Sequence, residues 1–160
     1  MDKQVSISVG IVVASPRGGK RRRRQRNWQA SAAVVGESGL GPGRLLKRDN
    51  ETDYYYAGSA DLQLTANDIE SYRANLGQEE PRLYCILAPR QDTNAPPLLH
   101  LVTADPEEAE NYQAAAPGQF EEVAMPSALA DLISIFIDSH TEDEDESLVA
   151  SHQRDGVTLH

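Results

Sequence analysis

Cysteine is almost absent from this 160-residue chain: Cys85 stands alone, which excludes a disulfide framework and a cysteine-based zinc site. Aromatic residues make up only 6%, with one Trp and two Phe, and hydrophobic residues 39%, enough for one modest core but not two. Apolar runs are short, none approaching the roughly 20 residues needed to cross a bilayer, so no membrane span is expected. Positive charge is scarce where it might balance the acids: from Ala104 to His160 only Arg154 stands against 14 acidic residues. The net charge of −10 disfavours a dedicated nucleic-acid binder.

What basic charge exists is concentrated. Seven of the 15 basic residues lie between Arg17 and Arg26, while Glu142-Asp143-Glu144-Asp145-Glu146 opens an acidic tail. Blocks of like charge repel themselves and stay solvated. These features predict one domain over 1–140, with a basic loop at 15–27, a flexible glycine-rich loop at 36–52 and a disordered acidic tail at 141–160. The apolar stretch Val5–Ala14 has the length of a signal-peptide core, but the arginines follow it, and Gln25–Gln29 after them is too polar for a twin-arginine signal. A cytoplasmic protein is the simplest expectation.

Period-two alternation of Val5, Ile7, Val9, Ile11 and Val13 predicts a first strand over Lys3–Ala14. A second is expected over Trp28–Val35, with Trp28, Ala30, Ala32 and Val34 on one face. Tyr54-Tyr55-Tyr56 is expected as a strand, Gly58 as a turn, and Leu62 with Leu64 as another short strand. Leu83–Leu87, apolar on both faces, predicts a central strand, with further strands at Leu98–Thr103 and Phe120–Ala124.

Three helices are marked by their caps and stripes. Thr65 and Asp68 have capping-box spacing ahead of Ile69, Tyr72 and Leu76, with Gly77 as a stop. Asp105-Pro106-Glu107-Glu108 combines a carboxylate cap, proline at the first helical position and acids facing the positive end of the helix dipole, with Ala109 and Tyr112 inward. From Ser127 the chain shows Leu129, Leu132, Ile133, Phe136 and Ile137 at helical spacing. The order predicts an α+β domain with a single mixed sheet of about five to seven strands and three helices.

Several pieces in fixed order, Glu70–Leu76 with its Tyr-x-x-Asn-Leu, Val102-Thr103-Ala104-Asp105-Pro106-Glu107-Glu108-Ala109 and Met125-Pro126, resemble an uncharacterised bacterial domain family over roughly Lys3 to His140. Members of that family tend to be encoded beside formate dehydrogenase and molybdenum-cofactor genes. The resemblance implies a supporting role for a molybdenum-dependent formate dehydrogenase, with that enzyme or its maturation factors as partner. Two departures stand out: the arginine run where relatives often carry a second tryptophan, and Thr65 where they often carry histidine.

No catalytic constellation emerges from the residues. His100, His140, His152 and His160 are scattered and form no His-x-x-x-His pair, so no metal site is expected, and His100 reads as a core histidine on a buried strand. Cys85 reads as an inert core thiol. Gly10–Arg21 resembles the strand and glycine-rich basic loop of molybdopterin-guanine dinucleotide nucleotidyltransferases, but a phosphate loop must open a helix, and a second strand is expected here. Salt-dependent nucleic-acid binding through the arginines is a second alternative, opposed by the charge of the remaining chain. The preferred expectation is a protein with no catalytic, cofactor-binding or metal residues, acting through surface contacts. Arg21, Arg22, Arg23, Arg24, Arg26 and Trp28 are the expected contact residues, with Tyr54 and Tyr55 second, because arginine and aromatics dominate interface hot spots. For the tyrosines, simple sheet packing is the stronger reading.

Overall fold

A computed structural model describes residues 4–17, 27–92, 94–115 and 118–141. Seven strands and three helices follow one another as β1 (Gln4–Pro16), β2 (Gln29–Val35), β3 (Leu45–Arg48), β4 (Thr52–Thr65), α1 (Ile69–Leu76), β5 (Arg82–Ala88), β6 (Leu98–Thr103), α2 (Pro106–Ala115), β7 (Gln119–Ala124) and α3 (127–141). The fold is α+β, but its strands form two antiparallel sheets and not the single sheet expected: a four-stranded sheet ordered β2-β1-β4-β3 and a three-stranded sheet ordered β6-β5-β7. β2 lies beside β7 and β4 beside β6, so the two sheets face a common core.

Alternation along β1 puts Val9, Ile11 and Val13 fully into that core, where they meet Leu62, Leu64, Leu83, Cys85 and Leu87. The last helix adds Leu129, Ile133, Phe136 and Ile137. Its stripe differs from expectation at one position, since Leu132 is 39% exposed and faces outward with Ile135.

Bulges account for most of the strand-level differences. Where β1 meets β2 the register slips between Val12 and Val13, leaving Ser31 as the extra residue. The inward face of β2 therefore switches from Trp28 and Ala30 to Ala33 and Val35, and Val34 is exposed rather than sharing a face with Trp28. A second slip, at Ile11/Val12 against β4, makes Ala57 the extra residue, beside Gly58 at φ +114°. Glycine absorbs this left-handed position at no steric cost, so Gly58 does not turn the chain: Thr52–Thr65 is one continuous 14-residue strand. Tyr56 is thereby turned onto Gly10, where any Cβ would overlap its ring.

Within the glycine-rich stretch 36–52 the structure places β3, paired to β4 through Leu45, Lys47 and Arg48, and Gly43 N–H donates to the Tyr56 carbonyl at 2.6 Å. β5 is central to its sheet. β6 is an edge strand, not a buried one, and His100 on it is exposed, not a core residue.

Helix starts use the expected residues in two different ways. Asp105 Oδ1 accepts from Glu107 N–H at 2.9 Å, and Thr103 Oγ1 donates to Glu108 at 2.5 Å, a well-formed cap for α2. The Thr65 hydroxyl instead donates to the Asp68 carboxylate at 2.9 Å, and a 3-10 turn over Ala66–Asp68 leads into α1. Tyr72 is 2% exposed; its oxygen accepts from Thr65 N–H at 3.0 Å, and burial raises the phenol pKa above its ordinary value. Asn75, fully buried, donates to the carbonyls of Arg82 and Ala104 at 2.8 and 2.9 Å and accepts from Arg82 N–H at 3.0 Å. One amide thus joins α1 to the start of β5 and the end of β6, which makes the Tyr-x-x-Asn-Leu piece structural. Among the described residues no helix is long and apolar enough to cross a membrane.

Candidate functional site

The Pro16 end of β1 meets the second sheet at an open cleft of about 460 Å³. Pro16, Asn27, Trp28 and Gln29 form one wall; Pro89, Arg90, Ala95 and Pro97, from the β5–β6 connection, and Gln119 and Glu121, on β7, form the other. A volume of this size falls within the range that takes a small molecule or a short peptide segment.

Next to Pro16, Arg17 anchors the end of β1. Its guanidinium donates to the buried Asp53 carboxylate at 2.5 Å and to the carbonyls of Asp49 and Asn50 at 2.5 and 2.8 Å, while Arg17 N–H donates to the Glu51 carbonyl at 2.6 Å. Arg48 Nε reaches the same Asp53 oxygen at 3.1 Å. A carboxylate only 2% exposed is stabilised by such paired cations, which hold the β3–β4 turn against the end of β1. That turn is itself tied by Asp49, whose carboxylate accepts from Glu51 and Thr52 N–H and so has a pKa below its ordinary value. Arg17, the first residue of the basic run, is therefore part of the scaffold.

Trp28 stands in the cleft wall. It is 9% exposed, and its ring meets Tyr55 edge-on, with centroids 5.4 Å apart and planes at 74°. Its carbonyl accepts from Gln119 Nε2 at 2.7 Å, and the same Gln119 amide donates to Glu121. Glu121 in turn accepts from Ala30 N–H at 2.9 Å. At this seam between β2 and β7, side chains supply hydrogen bonds to the backbone of a strand edge, which covers that edge against unwanted pairing.

Of the residues expected to make partner contacts, Trp28, Tyr54 and Tyr55 are described. Trp28 and Tyr55 pack on each other at the cleft end of the core, whereas Tyr54 points away, with Lys47 Nζ 5.5 Å from its ring centroid. Arg21, Arg22, Arg23, Arg24 and Arg26 lie outside the described residues, as do His152, His160 and the acidic tail from Glu142. On either side of 18–26, Pro16 and Asn27 line the cleft. Among the described residues no three His, Cys, Asp or Glu side chains come together as a metal site. Cys85 lies in the core, where burial, with a smaller contribution from Glu121, pushes its thiol pKa up to about 12.

The family model described as a protein of unknown function, DUF3305, matches residues 8–147. The chain belongs to the DUF3305 family. No curated protein and no solved structure matches it.

In this DUF3305 chain the cleft residues that sequence reasoning passed over are Arg90, Gln119 and Glu121. A signal for the last two existed. Gln119, Glu121 and Val123 alternate on one face of β7, opposite Leu87, Cys85 and Leu83, which are core residues. Two polar side chains at inward-facing strand positions require partners, and polar strand positions on a core face mark either a seam or a site. Arg90 carried no such pattern, because its meaning depends on Pro16 and Trp28 arriving from another sheet.

Proposed function

We propose that this DUF3305 protein is a non-catalytic accessory factor that works in the cytoplasm and supports the assembly or maturation of a molybdenum-dependent formate dehydrogenase. The observation that carries this reading is the placement of the cleft. Pro16 and Asn27, which flank in the chain a stretch with six cations in nine residues (18–26), line a cleft walled by Trp28 and three prolines. A sequence that joins concentrated arginine directly to the residues of a partly apolar cleft suits a protein partner with an acidic face better than a naked phosphate backbone, since aromatic and arginine residues are enriched at protein interfaces. The choice of formate dehydrogenase rests on the family resemblance in the sequence.

The nucleotide-handling alternative has less support. β1 and β2 are paired antiparallel, so the glycine-rich basic segment joins two strands of a hairpin. A phosphate loop relies on the amides of a helix N-terminus after it. Direct evidence comes from affinity capture of the full chain from its own cells at moderate salt, beside a variant with Arg21–Arg24 changed to serine. Formate dehydrogenase subunits or their maturation factors should be retained by the parent and lost from the variant. Capture of nucleic acid alone, or of nothing specific, would end this reading.

A further inference from the structure

We infer that the edge of β2 at the cleft is a docking site for an extended segment of a partner protein, which adds to it as a strand in place of the Gln119 and Glu121 side chains. Alternate residues of a strand turn their main-chain groups to the same side, and a neighbouring strand supplies a donor to one carbonyl and an acceptor to the N–H two residues on. At the edge of β2 that donor and that acceptor are side-chain atoms: Gln119 Nε2 donates to the Trp28 carbonyl at 2.7 Å, and Glu121 Oε1 accepts from Ala30 N–H at 2.9 Å. The two side chains hold each other through a third bond, from Gln119 Nε2 to Glu121 Oε2 at 2.7 Å. An amide N–H and a carboxylate oxygen thus stand where the N–H and C=O of an added strand would be. Among the described strands β2 and β7 each lie at one end of their sheet, side by side but with no ladder between them.

The cleft opens onto these bonds, since Trp28, Gln29, Gln119 and Glu121 all line it. An incoming backbone therefore reaches the edge without crossing the core. Gln29–Val35 contains no charged residue and no proline, the usual guards of a free edge, whereas β3 at the opposite edge of the same sheet carries Lys47 and Arg48. Gln and Glu side chains give up rotamer freedom when held and regain it on release, so their displacement by a main chain with the same donor and acceptor is partly offset. Main-chain bonding of this kind is how a peptide adds a strand to a sheet edge. It asks nothing of the charge of the cleft, whose lining sets Arg90 against Glu121, and it does not depend on which protein supplies the segment.

The test uses the full chain and a labelled hexapeptide of alternating Thr and Val, beside the same hexapeptide N-methylated at every residue, which keeps the side chains and lacks main-chain donors. Gln119→Ala combined with Glu121→Ala removes the covering side chains. Fluorescence polarisation should show this double variant binding the plain peptide about tenfold more tightly than the parent does, the scale of two regained hydrogen bonds. The N-methylated peptide should bind neither protein. Unchanged or weaker binding by the double variant, or equal binding of both peptides, overturns the inference. Exchange of the Ala30 amide, followed by NMR, reads the edge itself. In Glu121→Ala it should quicken about tenfold while the amides of β5 keep their parent rates, and saturating plain peptide should slow it again. Exchange that stays fast with peptide bound puts the peptide elsewhere and overturns the inference, as does exchange that quickens equally throughout the chain. If the alanine variants fail to fold, Glu121→Gln, of the same size and without the charge, should show the same changes at about threefold. Dimers of the double variant in place of peptide binding would assign the edge to a second copy of this chain and likewise overturn it.

Discussion

At the Gln4 end of β1, polar atoms are buried and satisfied, whereas at the Pro16 end they surround an opening and one cation is left over. Around α1, next to the first end, Tyr72 and Asn75 spend their side-chain atoms on backbone groups of β4, β5 and the α2 approach. Near the second end, Asp53, Arg17 and Glu121 are similarly committed, but Arg90 is not, and Ser15 Oγ is buried with no hydrogen-bond partner among the described residues. The same strand thus ends once in a closed structural joint and once at an open cleft. Satisfied buried polar groups specify a fold; unsatisfied exposed ones beside apolar walls are available for binding.

The contrast can be broken most severely at Asn75. Asn75→Ala would strand two carbonyls and an N–H of buried backbone, and unfolding in urea should show a loss of about 3–5 kcal/mol. Next comes the core between the two ends. The Cys85 thiol, whose pKa rises from 9.0 to about 12 on folding, keeps its proton in the folded state while the unfolded chain loses it. Its contribution to stability is complete below pH 9 and is lost as pH rises toward 12, at roughly 1.4 kcal/mol per pH unit. Stability against urea measured at pH 8, 9.5 and 11 should therefore fall, and Cys85→Ala should flatten that slope. Smaller again is Arg17→Ala, which leaves Asp53 with weaker compensation; about 2 kcal/mol should be lost. Smallest is Arg90→Gln, whose parent residue supports nothing in the fold: its urea midpoint should shift by less than about 0.5 kcal/mol equivalent. A large loss there would merge the two ends into one kind of structure.

Local signals carried the helices well. The cap at Asp105 and the stripe Leu129, Ile133, Phe136 and Ile137 are written within one or two turns, where side-chain spacing and backbone geometry are coupled directly. Strand pairing is decided elsewhere in the chain. Nothing within Trp28–Val35 announces that Ser31 will be extra, because the bulge exists only against β1. Similarly, Tyr54–Leu64 reads as two strands around a glycine until the partner strand makes Gly58 a bulge residue. His100 reads as buried because its neighbours are apolar, yet an edge strand exposes one face. The cleft is half legible: Trp28 stands beside the arginines in sequence, while its facing wall comes from Pro89 to Glu121, 61 to 93 positions away, which no local pattern connects.

The seam between β2 and β7 has an evolutionary consequence. Backbone ladders are indifferent to side-chain identity, so most of the two sheets can drift in sequence and keep their pairing. Closure across this seam is instead spelled by Gln119 and Glu121, whose amide and carboxylate reach Trp28 and Ala30. Single codon changes at these two positions would retune how firmly the sheets hold together, and with it the width of the cleft, while the remainder of the architecture is inherited intact.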